Sequence, residues 1–220
     1  MGILESLGEV FGLYTPYGEA NPTSDVYGRD DAENLYGVPN SDSADHIYGF
    51  GGDDYINAYQ GNDVIDGGWG NDIIRGGQGW DDMTGGPGSD EFRISTGDSG
   101  PSYDDADRIW DFMTGDTGDW ISFDNNGLTA PEALVGTPGN YVEYSFQSDG
   151  TYEGAYNQAL YYAQQDIGFY PDGSEVNFAF YTDGWDGYLF ADTNFNGYVD
   201  TGIELRGLTT LDHFTYWDIQ

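Results

Sequence analysis

Along residues 45–93 the chain places one large apolar residue at every ninth position. Ile47, Ile56, Ile65, Ile74, Met83 and Phe92 hold this series, and each stands two residues after an aspartate, at 45, 54, 63, 72, 81 or 90. The intervening positions are polar and rich in glycine: residues 67–75 read GGWGNDIIR, 76–84 read GGQGWDDMT and 85–93 read GGPGSDEFR. The period runs back, with fewer glycines, through AYQGNDVID at 58–66 and GFGGDDYIN at 49–57. A triplet with one central apolar residue suits a very short strand, its middle side chain on one face and its neighbours on the other. The six residues before it form a turn, in which glycine permits positive φ and close backbone approach. A short fixed period of this kind marks a run of repeated strand-and-turn units. Val26-Tyr27-Gly28 and Leu35-Tyr36-Gly37 mark two fainter units upstream, like Ile47-Tyr48-Gly49, and the 12-residue step from Glu33 to Asp45 loosens the register between them.

After Arg93 the period lapses. Asp107-Arg108-Ile109-Trp110-Asp111-Phe112 and Ile121-Ser122-Phe123 predict two strands that seal the coil with Ile109, Phe112, Ile121 and Phe123. Residues 124–150 read as loop with a strand at 141–146. Over 151–167 the period changes to that of a helix, with Tyr152, Ala155, Tyr156, Ala159, Leu160, Ala163 and Ile167 on one apolar face and Gly168 and Pro171 as its stop. Residues 176–182 and 187–191 read as paired strands around a turn at 183–186. At the other end, Ile3, Leu4, Leu7, Val10 and Phe11 predict an amphipathic cap.

Composition narrows the chemistry. Forty acidic residues against five basic ones give a net charge of −35, and all five basic residues are arginine. That balance excludes a nucleic-acid footprint, which needs a basic surface, and argues against adhesion to anionic membranes. No apolar run has the length of a transmembrane helix, so direct membrane insertion is not expected. Cysteine is absent, so there are no disulfides and no thiolate metal ligands. The aromatic content of 17% argues against simple disorder. Glycine carbonyls and aspartate carboxylates make an all-oxygen donor set, which suits calcium rather than zinc.

Residues 45–93 thus resemble the RTX (repeats-in-toxin, haemolysin-type) calcium-binding β-roll. The resemblance implies a mostly β fold: a right-handed parallel β-roll in which two nonapeptides complete a turn, followed by a small α+β C-terminal cap with one helix and antiparallel strands. It divides the chain into an N-terminal cap (1–25), the roll and closing strands (26–123) and a C-terminal domain (124–220). It implies several calcium ions as cofactor, each between loops of repeats n and n+2. Asp45, Asp63 and Asp81 would line one side and Asp54, Asp72 and Asp90 the other, with main-chain ligands from Gly52, Gly61, Gly67, Gly70, Gly76, Gly79, Gly85 and Gly88. Phe50, Ala58 and Tyr59 stand where the repeat has glycine, which weakens the first sites. The segment from Asp107 resembles the strands that close rolls in serralysin-type proteases, with Thr117 and Gly118 as two extra residues before the final site.

Residues 192–200 read D-x-N-x-N-G-x-x-D, so Asp192, Asn194, Asn196 and Asp200 predict a short calcium loop between two strands. It is not an EF-hand, because Ile203 takes the place of the bidentate glutamate. No catalytic set is expected. The zinc motif H-E-x-x-H is missing, the two histidines, His46 and His213, are far apart in sequence, and Gly97-Asp98-Ser99-Gly100 lacks a base. Leu211, Phe214 and Trp217 in the last ten residues suit packing or a type I secretion signal. The expected role is that of a secreted or cell-surface, non-enzymatic calcium-binding protein, structural, adhesive or matrix-forming, exported without an N-terminal signal peptide. Its expected partners beyond calcium are a cell-surface polysaccharide or further copies of itself. The alternative is a carbohydrate-binding or secretion module of an extracellular carbohydrate-active enzyme or protease, with Trp69, Trp80 and Trp185 as exposed sugar platforms.

Overall fold

A computed structural model describes residues 24–115, 118–124, 136–137, 139–171, 175–210 and 214–220. Residues 1–23 of the expected N-terminal cap, with Leu211, His213 and Thr117, lie outside them. Ten short strands come first: β1 (Ser24–Tyr27), β2 (Asn34–Tyr36), β3 (Asp45–Tyr48), β4 (Tyr55–Asn57), β5 (Val64–Asp66), β6 (Ile73–Arg75), β7 (Asp82–Thr84), β8 (Glu91–Ser95), β9 (Asp107–Ile109) and β10 (Trp120–Asp124). The odd-numbered strands pair in parallel in one sheet and the even-numbered ones in another.

The register follows the sequence period. Ile47 stands beside Ile65 and Ile65 beside Met83, while on the facing sheet Ile56 stands beside Ile74 and Ile74 beside Phe92. Partners are two nonapeptides apart, so two units make one turn, and the coil is a β-roll. The spacing widens only at the ends, where Val26 pairs with Ile47, Leu35 with Ile56, Met83 with Ile109 and Phe92 with Ile121. Strand triplets alternate inward and outward, so the two apolar columns meet between the sheets. Ile47, Ile56, Ile65, Ile74, Met83, Phe92, Ile109 and Ile121 are fully buried there.

The first sheet continues into the C-terminal half. β9 pairs in parallel with β16 (Thr201–Leu205), which is followed by antiparallel β15 (Gly187–Ala191) and β14 (Phe178–Thr182), and then by parallel β11 (Tyr141–Ser145). Nine strands therefore form one sheet, and the roll columns share one apolar cluster with Phe178, Phe180, Leu189, Ile203 and Leu205. A two-stranded ribbon pairs β12 (Gly168–Phe169) with β13 (Glu175–Val176).

Helix α1 (Tyr152–Asp166) starts at Thr151, whose hydroxyl accepts the Gly154 N–H. Ala155, Tyr156, Ala159 and Ala163 pack on Ala179, Tyr181, Tyr188 and Phe190 of the sheet. Tyr152 departs from the expected apolar face. It is exposed, with the Arg206 guanidinium 4.0 Å from its ring centre. At the C-terminus Phe214 is buried and stacks on Phe180 at 4.6 Å. Trp217, read as packing or as part of a secretion signal, is 72% exposed, because the 3₁₀ turn Tyr216–Asp218 points Asp218 and the following Ile219 inward instead. The Gln220 N–H donates to the Ile121 carbonyl at 2.9 Å.

Candidate metal centre

The turn-forming sequence stacks the repeat aspartates into two ladders, one along each edge of the roll. On one edge the Asp45 N–H donates to Asp63 Oδ1 at 2.7 Å and the Asp63 N–H to Asp81 Oδ1 at 2.8 Å. On the other the Asp54 N–H donates to Asp72 Oδ1 and the Asp72 N–H to Asp90 Oδ1, both at 2.8 Å. All six aspartates are buried. Each rung uses one carboxylate oxygen. The remaining oxygen of Asp45 (Oδ1) and of Asp54, Asp72, Asp81 and Asp90 (Oδ2) is buried and accepts no hydrogen bond.

Glycines close the loops around these oxygens. A Cβ at Gly67, Gly76 or Gly85 would strike the Oδ2 of Asp72, Asp81 or Asp90, the carboxylate of its own repeat. A Cβ at Gly70, Gly79 or Gly88 would strike the carbonyl of Gly52, Gly61 or Gly70 one turn back. Gly70 and Gly79 also hold φ of +141° and +131°, a region that side chains rarely adopt. The N–H groups of Gly52, Gly61, Gly70 and Gly79 run turn to turn, to the carbonyls of Trp69, Gln78, Pro87 and Asp98. Among the described residues no such bond reaches the carbonyls of those four glycines, whereas the Gly85 carbonyl accepts the Gly68 N–H at 3.1 Å. Phe50 and Tyr59, which replace repeat glycines, keep positive φ of 69° and 78°, a strain of about 1–3 kcal/mol each.

The nonapeptide model decides what this array is. The family of the RTX calcium-binding nonapeptide repeat (four copies) matches residues 41–65 and 58–92. Residues 41–92 are RTX repeats. No curated protein matches the sequence. Among solved structures, the R2 subunit of the Azotobacter vinelandii mannuronan C5-epimerase AlgE6 aligns at 21% identity over 93% of this chain and 95% of its own, with a TM-score of 0.33. The R3 subunit aligns at 21% identity over 90% and 86%, with a TM-score of 0.26. At such scores the fold rests on the strand register described above.

The RTX roll fits calcium on its own chemistry. Its donors are all oxygen, five of its buried carboxylates keep an oxygen that accepts no hydrogen bond, and its loop carbonyls crowd against glycines where no side chain would fit. Among the described residues no three Asp, Glu or His side chains gather as one ligand group. A cation in these loops would therefore rely on backbone carbonyls with one or two carboxylates. Burial pushes the Asp72 carboxyl up to about 6 and Asp90 up to about 7; N–H bonds from Asp54 and Asp72 oppose this, and neighbouring carboxylates add to it. Burial raises Asp54 as well, and raises Asp81 strongly, with repulsion from Asp107 and Asp63 behind it.

Two rungs fall outside the repeats. The Asp81 N–H donates to Asp107 Oδ1 at 3.0 Å and the Asp90 N–H to Asp119 Oδ1 at 2.9 Å. Asp119 lies outside the expected ligand set, because the step to it from the last repeat aspartate is far longer than nine residues. The signal was present in Asp119-Trp120-Ile121, which keeps the aspartate–x–apolar spacing. Asp111 accepts the N–H groups of Gly85 and Gly86 at 3.0 and 2.8 Å, a second role for the closing segment.

The other candidate residues are placed as follows. In the 192–200 loop, Asp192 accepts N–H bonds from Asn196 and Gly197, Asp200 from Thr193 and Asn194, and Asn196 from Tyr198. These oxygens cap their own turn. The Ser99 hydroxyl is buried, donates to the Gly202 carbonyl at 2.6 Å and accepts the Asp107 N–H at 2.8 Å, so it braces two strands. His46 Nδ1 lies 3.7 Å from Asp25 Oδ1 at the outer face. Trp69 and Trp185 are exposed, at 73% and 75%. Trp80 is half-buried under the Arg108 guanidinium, 4.4 Å from its ring centre, which corrects its expected place as an open platform.

Proposed function

We propose that this chain is a calcium-folded module of a secreted or cell-surface protein with a structural, adhesive or matrix-forming role and no enzymatic one. The observation that carries the reading is the pair of ladders of buried carboxylates, in which the second oxygens of Asp45, Asp54, Asp72, Asp81 and Asp90 accept no hydrogen bond. Carboxylates on adjacent turns, about 5 Å apart, repel by ~3 kcal/mol at an effective dielectric of 20. The glycine loops add a further entropic cost of ordering, and one buried apolar residue per nonapeptide is a thin core to set against both. Bound calcium supplies the positive charge and oxygen coordination that turn this repulsion into cohesion. Extracellular modules bind calcium at roughly 10⁻⁴–10⁻³ M, so the switch suits a chain made where calcium is scarce and used where it is abundant. Far-UV circular dichroism during a calcium titration tests the reading. The expected result is a largely unfolded chain in EDTA that gains β signal with calcium, and an unchanged spectrum and melting temperature would overturn it.

One observation favours a second reading, a carbohydrate-binding module. Tyr27 stacks on Tyr48 at 5.4 Å and lies 6.5 Å from Phe50, and the neighbouring loop exposes Trp69, an aromatic strip of the kind that packs on sugar rings. A glycan array read with and without calcium separates the two. Calcium-dependent binding to a neutral glycan that is lost on Trp69→Ala supports this module, and its absence leaves the first reading standing.

A further inference from the structure

We infer that the open edge of the nine-stranded sheet, at β11, takes up an extended arginine-rich segment of another polypeptide as an added strand.

β11 ends the strand order of that sheet and pairs with β14. Among the described residues no strand lies on its other side. Along a strand, alternate residues turn their N–H and C=O groups to the same side. The Phe146 N–H reaches the Thr182 carbonyl and the Asn140 carbonyl accepts the Phe178 N–H, so the even positions face β14. Glu143 and Ser145 therefore turn theirs outward, and residues 143–145 are exposed. Such a row of backbone groups is a template for strand addition.

Ring and charge chemistry choose the occupant. Tyr144 is exposed on this strand, and its ring stacks on that of Tyr181 at 6.0 Å, while Tyr162 of α1 stacks on the same ring at 6.1 Å. The Tyr181 hydroxyl donates to Asp166 Oδ2 at 2.5 Å, which sets a carboxylate beside the rings. The chain combines rings and a carboxylate in two other places, and there an arginine completes each set. Arg108 lies 4.4 Å from the Trp80 ring centre and 5.0 Å from that of Tyr103, and pairs with Glu204. Arg206 lies 5.3 Å from Trp110 and 4.0 Å from Tyr152, and pairs with Asp186. All five arginines are already paired with acids of this chain, which has no lysine, so a cation for the Tyr144 set has to come from a partner. On an added strand, the residue opposite Tyr144 stands about 5 Å away on the same face, within reach of the ring for a guanidinium. Its neighbour meets Glu143 on the other face, where a basic side chain is again favoured. A second copy of this chain fits poorly, because it brings a further charge of −35 and sets acid against acid.

The test is binding of a synthetic peptide of alternating arginine and valine to the full chain in calcium, at about 0.15 M salt, where long-range attraction is screened. Tyr144→Ala is expected to weaken binding about tenfold. Ser145→Pro removes one outward N–H, leaves the bonds to β14 in place and is expected to weaken it as well. The peptide is also expected to slow hydrogen exchange at the Glu143 and Ser145 amides. No binding, or equal binding by wild type and both variants, would overturn the inference, the second result meaning attraction by net charge alone. A dimer in sedimentation that Ser145→Pro abolishes would overturn it in favour of a second copy. A neutral oligosaccharide that displaces the peptide and is lost on Tyr144→Ala would overturn it in favour of a glycan. If a variant does not fold, amide exchange in the wild type with and without peptide decides.

Discussion

A ladder aspartate is a buried acid held by backbone N–H bonds, and in Asp72 and Asp90 one oxygen accepts none, an arrangement that responds to pH. Without metal, the folded values of about 6 for Asp72, 7 for Asp90 and 6 for Asp119 lie above the ~4 of an unfolded aspartate. A carboxyl raised on folding adds stability that is full below its unfolded value and is lost as pH rises through its folded value. The metal-free melting temperature is therefore expected to climb as pH falls from about 7 to about 4. Calcium takes the ionised form, so its affinity is expected to fall over the same window. Melting curves in EDTA beside calcium titrations at pH 5 and 7.5 would check both trends, and parallel rather than opposed trends would refute the account. At this scale the sequence was legible wherever spacing stayed at nine. Asp107 and Asp119 were less so, because the connections before them are longer and free of paired glycines, and only the aspartate–x–apolar triplet remains to mark them.

Between elements, the charge pair across β9 and β16 is the main polar fastening. Arg108 and Glu204 are direct partners in the parallel register, 2.8 Å apart and buried, and Arg206 reaches the same carboxylate at 3.1 Å. Removing Arg108 strips the buried Glu204 of its shorter ion pair and leaves it to Arg206, at a cost of up to about 3–5 kcal/mol. Arg108→Ala is expected to lose about that much in urea unfolding in saturating calcium. The double change Arg108→Met with Glu204→Leu is expected to lose clearly less, since an apolar pair leaves no orphaned charge. Equal losses would mean that packing of the arginine stem on Trp80 and Tyr103 matters more than the pair. The strands of the roll, the helix and the β14–β15 hairpin could be read from period and turn residues. The pairing of β9 with β16 could not, because it joins segments far apart in sequence through one charge pair and a bracing serine. Tyr152 suits the apolar face by period yet lies exposed under the Arg206 guanidinium, and a 3₁₀ turn leaves Trp217 exposed.

For the whole molecule, a net charge of −35 looks hostile to folding, yet part of it is buried in two ordered columns where a cation would neutralise it. The fold class follows from the repeat. The continuity of one nine-stranded sheet from roll to C-terminal strands does not, since nothing in a nonapeptide says which sheet the closing strand will join. That choice sets a rule of growth. Successive nonapeptides alternate between the two sheets, and β9 must emerge on the sheet that contains β16. Inserting a single repeat would preserve every motif and still deliver the closing strand to the wrong side, whereas inserting two would simply add a turn. The array is therefore counted in pairs, and its length is a parity condition as well as a capacity for calcium.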